Sequence, residues 1–136
     1  MKDLYHDFRS TYVIKPQTLT TANANGTGTD LLGYRGALMI AHLGGVGALQ
    51  DGTNKCVIGF FDSSDNSTFA ACADTDLIGG NNTETIDANA EANNTVQRAY
   101  IGTARYVTIR IAVSGTISLP VCGEVVKGFP LHAPIA

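Results

Sequence analysis

The chain contains no tryptophan, and only 15% of its residues are charged. An average soluble domain carries about 25%. Its nine Lys and Arg are scattered, and its net charge is −3. Binding nucleic acid without regard to sequence takes a basic stripe, so direct DNA or RNA binding is not expected. The three cysteines (Cys56, Cys72 and Cys122) are an odd number without CxxC spacing. That argues against a disulfide framework and against zinc, and the thiols read as small core residues. No apolar run approaches the roughly 18 residues of a membrane-spanning helix, so no membrane association is expected. Met1 to Asp7 lack the apolar stretch of a signal peptide, which implies reduced cysteines.

So little charge leaves two readings of the surface. Either Asn, Thr, Ser and Gly build it, or other protein partly covers it. A chain of 136 residues has room for one domain, and such a domain buries about two thirds of its unfolded surface. We expect a single β domain over residues 1–136. It would carry an N-terminal arm at 1–16 and a C-terminal tail at 128–136.

The clearest pattern lies at Tyr106–Ser114. Val107, Ile109, Ile111 and Val113 alternate with Tyr106, Thr108, Arg110 and Ala112. This period of two describes a strand with one face in a core and one facing solvent or a partner. Gly115 ends it, and Ile117, Leu119 and Val121 start a second alternation, so a strand, a turn and a strand are expected here. Thr11–Ile14 reads as an edge strand ended by Pro16, or as an arm reaching a neighbouring molecule. Ala37–Leu43 reads as a strand buried on both faces, with His42 inside it. Lys55–Asp62 and Val121–Lys127 read as further strands. Asp62–Thr68 has turn chemistry, and Phe69 is expected to return to the core. Asp74–Ile78 reads as one helical turn with Asp74 as N-cap and Gly79 as its stop. Residues 80–95 read as a long exposed excursion. The sum is an all-β fold, an antiparallel sandwich or barrel of about six or seven strands.

Catalytic constellations are hard to find. Ser114-Gly115 lacks the flanking glycines of a nucleophile elbow. Asp62, Asp65 and Asn66 lack the ligand spacing of a calcium loop, and Ala73 stands where its bidentate Glu belongs. Asn25-Gly26-Thr27-Gly28 lacks the Lys-Ser/Thr of a phosphate loop. Asn25, Asn66, Asn81 and Asn93 open Asn-x-Ser/Thr sequons, which Asn-rich loops produce by chance. Glycan binding usually uses exposed aromatics; Tyr34, Tyr100 and Tyr106 could serve but also suit core packing. We therefore expect no enzyme, no metal and no cofactor.

Four segments in order carry a resemblance. They are Met1–Asp7, Phe61–Phe69 (FDSSDNSTF), Ala99–Ile109 (AYIGTARYVTI) and Val126–Pro134 (VKGFPLHAP). Together they resemble a family of small proteins of tailed bacteriophages and prophages, typically encoded near the major capsid protein. The resemblance implies a virion structural role, and most directly a head decoration (cement) protein on the capsid surface. It implies the major capsid protein as partner, with self-association, a trimer included. Extended apolar segments can add strands or fill grooves on a neighbour. Leu4, Tyr5, Phe8, Tyr12, Phe129, Leu131 and Ile135 are therefore the expected capsid or inter-subunit contacts. A neck or tail component and a glycan- or receptor-binding module remain open as alternatives.

Overall fold

The computed structural model describes residues 4–45 and 51–131. A helical turn, α1 (Leu4–Asp7), leads into eleven strands. They are β1 (Phe8–Leu19), β2 (Ala24–Asn25), β3 (Thr29–Asp30), β4 (Tyr34–Leu43), β5 (Lys55–Ser63), β6 (Ala70–Ala71), β7 (Leu77–Ile78), β8 (Thr83–Ile86), β9 (Thr95–Tyr100), β10 (Tyr106–Ser114) and β11 (Leu119–Pro130). Seven of them run four residues or longer. All pairings are antiparallel. Sheet A has the order β1-β11-β4-β9-β7. Sheet B has β10 and β5 at its centre, with β2 and β3 along one side and β6 and β8 along the other. The expected β-sandwich is the fold.

The sheets face each other through side chains of alternating parity. Cys56, Ile58 and Phe60 of β5 and Val107, Ile109 and Ile111 of β10 point inward and are fully buried. Met39, Ala41, Tyr100, Val121 and Val125 meet them from sheet A. A buried residue of this kind contributes about 1.5–3 kcal/mol relative to exposure. Cys56 and Cys72 are core residues, as expected, while Cys122 is half-buried.

Several expectations are corrected. The arm does not stop at Pro16, because β1 runs through to Leu19 and pairs with β11 along its length. Two register shifts make this possible, one between Tyr12 and Ile14 and one between Ile14 and Gln17. A bulge turns two successive residues toward one side. Val13 and Ile14 are accordingly both buried, and Pro16 sits where no ladder hydrogen bond is required. The tail likewise begins inside a strand, since β11 extends to Pro130. β10 and β11 lie in opposite sheets, so the turn at Gly115 (φ 70°) carries the chain across the core rather than closing a hairpin.

Asp74–Ile78 is not one helical turn. A 3-10 turn at Asp74–Asp76 gives way to β7, which pairs with Ala99 and Tyr100. The Asp74 carboxylate caps nothing there and instead accepts the Asn82 N–H at 2.7 Å. The excursion at 80–95 is partly ordered, because β8 pairs with Cys56–Gly59 and buries Ile86. Thr108 does not face solvent. The loop at Gly26 crosses over it, and its hydroxyl donates to the Thr27 carbonyl at 2.9 Å.

Two of the polar links between the sheets come from β9. Tyr100 of β9, buried in sheet A, donates its hydroxyl to Asp62 of β5 at 2.8 Å and accepts the Ala104 N–H at 3.0 Å. A Cβ at Gly102 would meet that phenol oxygen at 2.5 Å, so the turn needs glycine there. Burial, then the neighbouring Asp62, push the phenol's pKa up. Arg98 of β9 stacks on Phe60 (5.4 Å) and donates to Glu84 (2.7 Å) and to the Asn81 carbonyl (2.8 Å). We expect Tyr100→Phe to cost about 1–3 kcal/mol, because it takes the hydrogen-bond partner from the half-buried Asp62 carboxylate and Ala104 N–H. Urea unfolding monitored by circular dichroism measures this, and an unchanged midpoint would rule the link out as a stabilising contact.

Candidate functional site

The outer face of an antiparallel sheet usually carries polar side chains against water. Sheet A follows this rule at one end, where Glu124, Gln97, His42 and Thr95 share the outer face, but not at the other. Cross-strand register aligns Phe8, Gly128 and Gly36 in one row and Ser10, Val126, Leu38, Ala99 and Ile78 in the next. Leu38, Val126 and Ala99 are half-buried with no layer of described residues over them, and Ile78 is 58% exposed. Ala37–Leu43, expected to be buried on both faces, is buried only on its Met39 and Ala41 side. Its Leu38 and Ile40 side belongs to this surface.

A groove of about 330 Å³ crosses one end of the face. Its floor is the backbone of Gly36 and Gly128, where missing side chains leave a trough. Its walls are Phe8, Phe129, Arg35 and Ile101. The Phe8 ring lies over Gly128, whose added Cβ would meet it at 2.7 Å. Phe8 and Phe129 stand edge to face with ring centres 6.0 Å apart. Phe129 adopts φ 55°, a left-handed conformation that costs a non-glycine residue about 1–2 kcal/mol. An aromatic held in that backbone while 68% exposed is better placed for a partner than for its own fold.

The expected contacts divide accordingly. Phe8 and Phe129 meet at the groove. Leu4 and Tyr5 lie on α1 beside it, and Tyr5 is 73% exposed. Tyr12 lies on the same sheet opposite Glu124, further along β1. Leu131 donates its N–H to the Gly33 carbonyl (2.8 Å) and lines a second cavity with Leu31 and Leu32. Ile135 lies outside the described residues. Leu38, Val126, Ile101 and the two floor glycines escaped the sequence reading. The only signal for them was the double-sided apolarity of Ala37–Leu43.

Farther along this face, Glu124 accepts a hydrogen bond from the Ser10 hydroxyl and lies 3.1 Å from His42 Nε2. These are triad residue types in the wrong order. The carboxylate stands between serine and imidazole, so no base faces the hydroxyl. The Ser10 hydrogen bond, followed by His42, lowers the Glu124 pKa. Burial raises Cys56 to about 11 and Cys72 to about 12, so both stay protonated thiols. Among the described residues no group of three or more His, Cys, Asp or Glu is arranged to hold a metal. His42, expected in a buried strand, is half-exposed on this outer face.

The class defined here is an antiparallel β-sandwich with an uncovered apolar face. No protein-family model matches the chain, and no curated protein is similar to it in sequence. The fold is similar to that of the PBSX exported protein XepA, with a TM-score of 0.58 at 12% identity. That likeness covers 89% of this chain but only 37% of XepA. The SPBc2 prophage-derived protein YomS gives 0.49 at 16% identity, over 88% of this chain and 93% of YomS. A chain of the cyanophage Pam1 capsid gives 0.41 at 14%, over 90% and 85% respectively. At such identities the likeness concerns the fold alone.

Two measurements test this description. Phe129→Asn should leave the thermal midpoint unchanged or raise it, because Asn tolerates left-handed backbone. It should also weaken binding of a hydrophobic dye to the face; a large drop in midpoint would show Phe129 to be a structural residue. The second concerns acid. Asp30 is held at about 2, below its usual 3.8, by Arg105, which donates to it at 3.0 and 2.7 Å. A carboxylate lowered in the folded state adds stability above its unfolded pKa and loses it as pH falls through the folded value. Glu124 acts in the same direction. Stability should therefore fall between pH 4 and 2, as about those pKa values require. Arg105→Gln should flatten that slope, and urea midpoints across this range measure it.

Proposed function

We propose that the protein is a structural virion protein that binds the outside of a tailed-phage capsid through sheet A as a head decoration (cement) protein. The observation that carries this reading is the uncovered apolar face, with its Gly36–Gly128 groove between Phe8 and Phe129. Monomeric proteins rarely leave such a surface in water, and it ordinarily belongs to an interface. Its position suits capsid binding. Residues 4–12 and 126–131 both border it and can engage a subunit together. The low charge elsewhere suits a protein packed among neighbours in a lattice.

Three of the segments that resemble phage virion proteins also have structural duties. Tyr100-Ile-Gly-Thr-Ala104 makes the inter-sheet link. Val126–Pro130 makes the groove floor and its aromatic wall. Phe61–Phe69 frames a turn on sheet B. The major capsid protein is then the partner, and the virion is the location. Copies meeting around a capsid symmetry axis would provide the self-association.

The test uses particles purified from the parent phage or prophage and stripped of this protein. Wild-type protein should co-sediment with the shells at many copies per particle. Phe8→Ser with Phe129→Ser, folded by circular dichroism, should lose at least about tenfold in affinity, as removal of two aromatic anchors entails. Undiminished binding by the double variant would refute the assignment of the face. Saturation at a single ring of copies would move the protein to the neck or tail.

A further inference from the structure

On the other side of the molecule, sheet B carries a different feature. Arg110 of β10 lies on the outer face with its guanidinium 5.0 Å from the ring centre of Phe61 and 5.3 Å from that of Phe69. Both rings are seated on glycine. A Cβ at Gly59 would meet the Phe61 ring at 2.6 Å, and one at Gly28 would meet Phe69 at 2.7 Å. Gly59 stands directly across the ladder from Arg110, which leaves Phe61 the room to lean under it. Phe69, expected in the core, is instead half-buried on this outer face, delivered there by the Asp62–Thr68 turn. There Ser63 Oγ donates to Asp65, and Asp65 accepts the Ser67 and Thr68 N–H groups at 2.9 Å each. Asn66 supplies the left-handed residue of that turn (φ 58°).

This is an unfavourable arrangement for an ordinary surface arginine. The two rings cover Nε, which is buried without a hydrogen-bond partner. Arg98 and Arg105 each reach a carboxylate, whereas Arg110 makes no ion pair with any described residue. Arg110 and Phe61 line a cavity of about 200 Å³ rimmed by Asn23, Asn25 and Thr83. A guanidinium held against two rings has lost rotamer freedom before anything binds. Its terminal N–H fork matches a carboxylate in geometry and charge.

We propose that Arg110, clamped by Phe61 and Phe69, is a docking socket for an aspartate or glutamate side chain of a partner protein. The carboxylate takes the Nη pair end-on, since the rings close off Nε. The asparagines at the rim offer amide N–H groups to its remaining lone pairs. An acidic sugar shares the charge but is disfavoured here. Sugars stack on open aromatic faces, whereas Phe61 and Phe69 are each pressed between a glycine and the guanidinium. A single arginine in a chain of net charge −3 does not make a nucleic-acid surface. The socket does not depend on what sheet A binds, and it gives the protein a second, polar contact face.

The Nε–H of Arg110 reports on the socket directly, because its burial slows exchange with water. We would follow its proton–nitrogen NMR resonance while adding an end-blocked hexa-aspartate peptide at constant ionic strength. Hexaserine and sodium glucuronate would be titrated in parallel. The expected result is a saturable shift at millimolar peptide and none with hexaserine. Arg110→Lys, which keeps the charge but not the fork, should weaken peptide binding at least about tenfold. A wild-type shift that is absent or fails to saturate would overturn the socket, whatever the variant does. Saturation by glucuronate at lower concentration than by peptide would overturn the protein partner in favour of an acidic glycan.

Discussion

Sheet A is apolar across its inner face and again at one end of its outer face, and the described residues cover only the inner one. The rest of the molecule follows from how that excess is handled. On the inner side, Met39, Ala41, Val121, Val125 and Tyr100 meet sheet B and form the core. On the outer side, no layer of described residues covers Leu38, Val126, Ala99 and Ile78. Leaving them in water forfeits the burial free energy of each, about 0.8 kcal/mol for every CH2 left uncovered. The apolar core between the sheets holds the sandwich without that contribution, and polar contacts add to it. Tyr100 reaches Asp62, and Arg98 reaches Glu84 and the Asn81 carbonyl. The outer face is thus free for a second molecule.

The two glycines in the outer row are the key local detail. Elsewhere in a strand, glycine weakens pairing and packs nothing. Here Gly36 and Gly128 stand side by side, across β4 and β11. Their missing side chains convert a flat sheet into a groove, and Phe8 folds over one of them. Phe129 completes the wall at the expense of a left-handed backbone. Sheet B uses the same device differently: Gly28 and Gly59 seat two phenyl rings, and the rings hold an arginine. Glycine spacing therefore shapes both outer faces, opening an apolar groove on one and seating the rings around Arg110 on the other.

What could be read from the sequence depended on how regular each element was. β10 was legible because Val107, Ile109 and Ile111 alternate without interruption. β1 was not, because two bulges put Val13 and Ile14 on the same side and made Pro16 look like a stop. Thr108 was misjudged because its cover comes from Gly26, more than eighty residues away in sequence. The short strands β7 and β8 carry no periodic signal of their own, since partner edges from Ala99–Tyr100 and Cys56–Gly59 order them. Of the expected contact residues, Phe8 and Phe129 belong together because β1 and β11 pair. The groove itself was hidden, since backbone at two glycines makes its floor. The turn at Asp62–Thr68 was recognised as a turn, but its role in bringing Phe69 to Arg110 depends on a strand crossing that sequence spacing does not reveal.

The most direct measurement is a cryo-electron-microscopy reconstruction of the intact particle with this protein in place. The account predicts β-sandwiches arrayed over the head. Leu38, Val126, Phe8 and Phe129 would be pressed against the major capsid protein, and sheet B would be turned away from that contact. Copies that touch the shell only through sheet B, with the outer face of sheet A still open to solvent, would contradict it.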